Sequence, residues 1–203
     1  MTAWQNIVPS KDEQREQKRR MLLRVAARIF NKKGFHNTSL DEIAEKLGVT
    51  KPTLYYYVSG KDDLLYQCLK VTYDCGRRAR GYADQHGNSA IDKIYRLHHR
   101  FIVLLLSEHG AYTTSGDIAA LPADQQRELL ERRKQFDRYN RDLLRSAVEE
   151  GSIRQVDVRV ASNFLLGAIN WILRWYPEDD SRTPEAIADA FLDIFFRGVS
   201  AGT

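Results

Sequence analysis

Apolar side chains return every three or four positions along most of the chain. No stretch alternates apolar and polar residues with period two between turn residues, so the pattern predicts an all-α protein. Leu22, Val25, Ala26, Ile29 and Phe30 make the stripe of a first helix. Ser10-Lys11-Asp12-Glu13 has the form of a capping box at its start, and Gly34 offers a left-handed stop after Lys33. Ser39-Leu40-Asp41-Glu42 repeats the box before a short helix ending at Leu47-Gly48. Thr50 is placed to cap a third short helix, with Pro52 in its first turn, running through Leu54 and Tyr57. Ser59-Gly60 breaks it, and Ser59 is placed to cap a fourth helix reaching about Arg80, with Asp62 and Asp63 at its positive end.

A polar break over Asp84–Ser89 separates the rest. A helix from about Ala90 to Ser107 carries Ile91, Ile94, Tyr95, His98, Phe101, Ile102 and Leu105. His109–Pro122 reads as irregular with at most one turn of helix. A long helix follows from Ala123 to Glu150, stopped by Gly151, then a more apolar one from Asp157 to Trp175, stopped by Pro177. Thr183-Pro184-Glu185 starts the last, with proline at its first position, running to about Val199. The expected organisation is a head of three helices, residues 1–60, and a larger helical body, residues 61–203.

Charge sharpens this division. Residues 1–65 hold 12 Lys/Arg and 8 Asp/Glu, while residues 66–203 hold 19 of each, so the whole net charge of +4 lies in the first third. Such placement suits a polyanionic partner. Hydrophobic residues make up 43% and charged ones 29%, ordinary for a globular protein and too apolar for a disordered one. The longest apolar run, Phe101 to Leu106, is far short of the roughly 20 residues a bilayer demands. Residues 1–10 lack the charged-then-apolar pattern of a signal peptide, so a cytoplasmic location without membrane association is expected. Cys68 and Cys75 would stand about 10 Å apart along one helix, too far for a disulfide, and reduced thiols are expected.

Two short helices joined by Gly48-Val49 have the form of a helix-turn-helix. In that motif the second helix presents its leading side chains to base edges in the major groove. Thr50, Lys51, Thr53, Tyr55 and Tyr56 fit that exposed role, while Ile43, Ala44, Leu47, Val49 and Leu54 are expected to face inward. Three consecutive tyrosines point in three directions on a helix, so one face does not bury them all. The hydroxyls of Tyr55 and Tyr56 are candidates for phosphate contacts, and Lys61 for a phosphate at the start of the fourth helix.

The run Thr38-Ser39-Leu40-Asp41-Glu42-Ile43-Ala44, then Leu47-Gly48-Val49-Thr50-Lys51-Pro52-Thr53-Leu54-Tyr55-Tyr56-Tyr57-Val58, then Lys61-Asp62-Asp63-Leu64-Leu65, resembles the DNA-binding head of the TetR family. Ala26-Ala27-Arg28-Ile29-Phe30 and Gly34-Phe35 match as well; Val58, where phenylalanine is frequent, is a mild departure. Thr38 joins the DNA-contact candidates as part of this run. The resemblance implies a homodimer on a palindromic double-stranded operator, and repression relieved by a small effector in the body.

The segment 167–177, with Arg133, Tyr139, Gly151-Ser152-Ile153-Arg154 and Asp157, resembles a subgroup of these regulators that senses acyl-coenzyme A thioesters. Phe101, Leu105, Tyr112, Phe136 and Trp171 are candidates to line an apolar slot, with Arg132, Arg133 and Arg174 for phosphates; Tyr139 and Asn170 complete the candidate pocket. Taken one at a time, these residues are better explained by an ordinary core stripe beneath a solvated arginine face. The alternative effector is a hydrophobic drug-like ligand, in a regulator of an efflux system. Phe164, Leu165, Ala168, Ile169 and Ile172, with Ile187, Phe191, Ile194 and Phe195, offer more apolar surface than one side of a small body buries, and mark a candidate dimer interface. His98-His99, near Glu108 and His109, is the one hint of enzyme chemistry. Adjacent histidines diverge by about 100° around a helix, and no nucleophile elbow, metalloprotease motif or phosphate loop is present, so no enzyme, metal or cofactor is expected.

Overall fold

The computed structural model describes residues 10–107, 111–112, 115–177 and 181–199. Its helices are α1 (Lys11–Lys33), α2 (Leu40–Leu47), α3 (Lys51–Leu54), α4 (Lys61–His86), α5 (Ala90–Ser107), α6 (Ala123–Glu149), α7 (Val158–Trp175) and α8 (Pro184–Val199), with a 3-10 helix at Ser115–Ala120. Among the described residues there is no helix long and apolar enough to cross a membrane.

Local chemistry accounts for most helix ends. The Ser10 hydroxyl accepts from the Glu13 N–H at 3.1 Å while the Glu13 carboxylate accepts from the Ser10 N–H at 2.7 Å, a complete capping box. At α2 only half a box forms: Ser39 accepts from the Glu42 N–H, but the Glu42 carboxylate turns to Lys33 on α1. Gly34 and Gly48 take positive φ, 86° and 66°, which residues with a Cβ rarely adopt. Asp157 caps α7 by accepting from the N–H groups of Arg159 and Val160.

Four ends differ from expectation. Thr50 precedes α3 but its hydroxyl does not cap it, lying 3.0 Å from the Thr53 hydroxyl and not on a backbone N–H. Regular α3 stops at Leu54, and Tyr56 and Tyr57 bond back to Thr53 and Leu54 in tighter i to i+3 turns. Pro52, lacking an N–H, and the Ser59–Gly60 break leave little room for a longer helix. Ser59 does not cap α4; the Asp63 carboxylate reaches back and accepts from the Ser59 N–H at 2.8 Å. Helix α4 runs beyond Arg80 through Asp84 to His86, because Ala83 is fully buried and Tyr82 meets His86 one turn on, with ring centroids 4.5 Å apart.

Two apolar cores result. The first unites Leu22, Leu23, Ala26, Ala27 and Phe30 of α1 with Ile43, Leu54 and Val58, and draws in Leu64, Leu65, Cys68 and Leu69 of α4. Tyr112, Ile118, Leu121 and Leu129 also belong to it. The second is built by Cys75, Ala79 and Ala83 of α4 with α5, α6, α7 and α8. Val71 packs against both. Cys68 and Cys75 are buried and form no disulfide, and burial pushes the Cys68 thiol well above its ordinary pKa.

Candidate nucleic-acid interface and effector cavity

Burial of Leu54 and Val58 against α1 and α2 fixes which face of α3 looks outward. Tyr55 is 51% and Tyr56 77% exposed, a large apolar surface for a folded chain to leave in water. Thr50 is exposed and its hydroxyl lies 3.0 Å from that of Thr53. Lys51 donates to the Asp41 carboxylate at 2.9 Å, and that hydrogen bond raises its pKa. These five candidates surround α3. Thr38 and Lys61 are placed differently. Thr38 is buried, its hydroxyl donating to the Gly34 carbonyl at 2.9 Å. The Lys61 ammonium donates to the carbonyls of Phe35 and Thr38, both at 3.0 Å, above the Phe35 ring. Both therefore tie the turn between α1 and α2 to the start of α4. Val49, expected inside, is exposed, because the left-handed Gly48 turns the chain outward, while Leu47 is only half-buried.

Helices α4, α5, α6 and α7 enclose a cavity of about 510 Å³. Tyr73, Phe101, Tyr112 and Phe136 form its aromatic wall, and Asn170 and Arg133 also line it. Leu105 packs in the body core instead. Tyr139 lies outside the lining, its hydroxyl donating to Asp84 and its ring beneath the Arg80 guanidinium at 4.5 Å; burial, then Asp84, pushes its pKa up. Trp171 is 58% exposed with Arg174 stacked on it at 5.0 Å, and neither lines the cavity.

The cavity rim carries four arginines, Arg77, Arg80, Arg132 and Arg133, against two carboxylates, Asp74 and Asp137. Arg77 and Arg132 share Asp74 at 3.5 and 3.3 Å, and Arg133 meets Asp137 at 3.7 Å. Charge-assisted hydrogen bonds are normally about 2.7–2.9 Å, so these pairings are loose and open to exchange. Arg132 has a second, tighter partner in Glu128 at 2.8 Å, whose other oxygen accepts from the Tyr66 hydroxyl and pushes its pKa up to about 12. Sequence reasoning missed Arg77 and Arg80. The run Arg77-Arg78-x-Arg80 was visible, but nothing in it says that its helix walls a cavity.

Cavity and head are riveted together. The Thr72 hydroxyl accepts from the Tyr112 N–H and donates to the Tyr112 carbonyl, both at 2.8 Å. Thr72 and Tyr112 both line the cavity. The Tyr112 ring meets Phe30 of α1 edge-on at 5.8 Å, and Asn31 donates to the Ala111 carbonyl at 3.1 Å. The Tyr112 hydroxyl donates to Asp117, whose other oxygen lies 3.6 Å from His36.

Away from the core, α7 exposes Val160, Phe164, Trp171 and Trp175, while α8 exposes Ile194. Their spacing on α7 (160, 164, 171, 175) makes one stripe. Leu165, Ile172 and Phe195 are buried in the core beneath, while Ala168 and Phe191 are half-buried, with Phe191 stacked on Trp175 at 6.1 Å. The candidate interface residues thus split between an inner and an outer face. His98 is fully buried and His99 lies 3.3 Å from Asp189, so the two do not converge. Glu108 and His109 lie outside the described residues. Among the described residues there is no group of three or more His, Cys, Asp or Glu able to hold a metal ion.

A basic head with an exposed α3, set on a helical body with its own cavity, is the plan of a one-component regulator. Residues 22–68 match the family described as bacterial regulatory proteins, tetR family, and residues 87–199 match the tetracyclin repressor-like C-terminal domain. The chain belongs to the TetR family. The HTH-type transcriptional repressor KstR2 of Mycobacterium tuberculosis (strain CDC 1551 / Oshkosh) is 25% identical over 184 residues, covering 88% of this chain and 91% of that protein. The solved structure of the M. tuberculosis ketosteroid transcriptional regulator KstR2 superposes with a TM-score of 0.71 at 21% identity, over 91% of this chain and 96% of that one. The TetR-family regulator PfmR of Thermus thermophilus is 26% identical, with a TM-score of 0.63 over 87% and 97% of the two chains. AibR, solved in complex with isovaleryl coenzyme A and operator DNA, gives a TM-score of 0.68 at 24% identity, again over 87% and 97%.

Proposed function

We propose that this protein is an operator-binding repressor, acting as a homodimer, that an acyl thioester of coenzyme A releases from DNA. The observation that carries the effector class is the two-part cavity, aromatic within and ringed by four arginines. A coenzyme A thioester has the same two parts, an apolar acyl group and a polyphosphate. Guanidinium forks suit phosphate oxygens, and the loose carboxylate partners of Arg77 and Arg133 give way readily. A volume of about 510 Å³ falls within the range of small-molecule sites and takes the acyl end, leaving the nucleotide at the rim. A lipophilic cation of the drug-like kind would meet a rim of net positive charge, four arginines against two carboxylates. AibR, which is similar in fold, is solved in complex with isovaleryl coenzyme A and operator DNA, which supports the ligand class; release from the operator rests on the assay below.

The head, residues 1–60, takes the DNA. Thr50, Lys51 and Thr53 are offered to base edges, Tyr55 and Tyr56 to phosphates, with Thr38 and Lys61 bracing the turn beside them. The body, residues 61–203, takes the effector and pairs two subunits through the outer stripe of α7 and α8. Two heads must then meet successive major grooves about 34 Å apart. An effector pressing on Thr72 and Tyr112 disturbs the rivet to α1 and changes that separation.

The test is to select bound duplexes from a random pool and follow their affinity by fluorescence anisotropy, against salt and against thioesters. A steep loss with salt and release by an acyl thioester, not by free coenzyme A, is expected. Release by lipophilic cations alone overturns the effector class. Failure to bind any duplex overturns the whole reading.

A further inference from the structure

Gly76 lies in the interior of α4, a 26-residue helix, and is not among the glycines of positive φ. A glycine there costs roughly 1 kcal/mol against alanine, so the backbone gives no reason for it. Packing does. A Cβ at position 76 would fall 3.1 and 3.2 Å from Cδ2 and Cε2 of Phe136, and 3.8 Å from Cε2 of Phe101. The Phe136 ring therefore rests on the bare backbone of α4. It also meets the Phe101 ring at 5.1 Å with an interplanar angle of 45°. All three residues line the cavity, yet Phe101 is buried and Phe136 only half-buried. Phe136 is thus a wall with a helix behind it and open space before it.

The geometry points to Phe136, seated on Gly76 and against Phe101, as the residue that sets how large an apolar group the cavity accepts. With no side chain at 76 the ring lies directly against the backbone of α4. A methyl group there drives the ring inward by a few tenths of an ångström, because a contact of 3.1 Å is tighter than carbon neighbours ordinarily make. Loss of the ring has the opposite effect and adds the space of a phenyl group. Phe101, buried behind its neighbours, has less freedom to move, so the adjustment falls on Phe136. The acyl nature of the group rests on the function proposed above; the gauge itself needs only an apolar occupant.

Full-length wild type, Gly76→Ala, Phe136→Ala and the double variant Gly76→Ala/Phe136→Leu are titrated with acetyl-, hexanoyl- and dodecanoyl-coenzyme A, and in parallel with the three matching free carboxylates. Binding is read by intrinsic tryptophan fluorescence and by the rise in Tm. Relative to wild type, Gly76→Ala is expected to weaken the longest chain about tenfold against the shortest. Phe136→Ala is expected to favour the longest by a similar factor, and the double variant to return towards the wild-type order. Equal loss at every length, or an unchanged order, overturns the gauge. Length-dependent shifts with the carboxylates alone uphold it while removing coenzyme A as the effector. A wild-type cavity that binds neither series overturns it as well. Should Gly76→Ala fail to fold, Phe136→Ala and Phe136→Leu decide the matter, since a half-buried ring is removed without crowding α4.

Discussion

Lowering the pH from 7.5 to 4.5 should destabilise this protein more than its exposed groups account for, and His98 is the reason. Its side chain is fully buried, and Nδ1 donates to the Ile94 carbonyl at 2.8 Å, since a carbonyl only accepts. Nε2 is then an acceptor, with no hydrogen-bond partner among the described residues. Protonating it would bury an unpaired cation. Burial accordingly lowers the pKa from 6.5 to about 4, with the Ile94 hydrogen bond opposing the shift. The unfolded chain takes up this proton near pH 6.5, and the native protein does not until about pH 4. Between these values the unfolded state binds more protons, so stability rises with pH. The contribution of neutral His98 is fully present above about 6.5 and is lost progressively down to about 4. At about 1.4 kcal/mol per pH unit, the loss by pH 4.5 is roughly 2 to 3 kcal/mol, a large share of a typical 5–15 kcal/mol. Urea unfolding followed by circular dichroism, at one protein concentration and both pH values, should show His98→Leu losing that much less than wild type. Carboxylates titrate alike in both proteins and cancel in the difference. Parallel pH dependence in the two, or an imidazole that titrates near 6.5 in the folded protein, would show that His98 does not carry this loss.

Three further outcomes are expected. Tyr56→Phe should weaken binding to all duplexes alike, whereas Lys51→Ala and Thr53→Ala should change which bases are preferred; competition among selected sequences distinguishes them, and a uniform loss from all three removes Lys51 and Thr53 from base reading. Phe164→Asp with Ile194→Asp should give single subunits in sedimentation and a large drop in operator affinity, and a pair that stays intact shows that another surface joins the subunits. Thr72→Val leaves the Tyr112 N–H and carbonyl without their shared hydroxyl; at about 1–3 kcal/mol it should lower Tm by several degrees and blunt effector release, and an unchanged Tm contradicts the rivet.

The boundaries that depend on neighbours in sequence were legible. Ser10 with Glu13, Gly34, Gly48, Asp157 and Pro184 mark helix ends through bonds spanning a few residues, and each falls where its chemistry directs. The outward face of α3 could also be read, because Leu54 claims the inner one. Long-range partners were not legible. Lys61 looks like a free cation at a helix start, but its ammonium is engaged by two carbonyls more than twenty residues away. Trp171 and Phe101 are equally apolar letters, yet one faces outward and the other a cavity, which only the neighbouring helices decide. Periodicity states which residues share a face; it does not state what covers that face. Gly76 illustrates the remainder, because its meaning lies in a ring 60 positions further along the chain.

Helix α4 belongs to two cores at once, with Leu64 to Leu69 in one, Cys75 to Ala83 in the other and Val71 between them. A helix advances about 100° per residue, so one residue inserted between Leu69 and Cys75 would swing the arginine rim a quarter-turn round from the DNA-reading end. The phase between sensing and reading is therefore stored as an integer, the number of residues along a single rod. Hybrid regulators made by splicing one member's head to another's body should keep their response only when the splice preserves that count, or alters it by about seven, two whole turns.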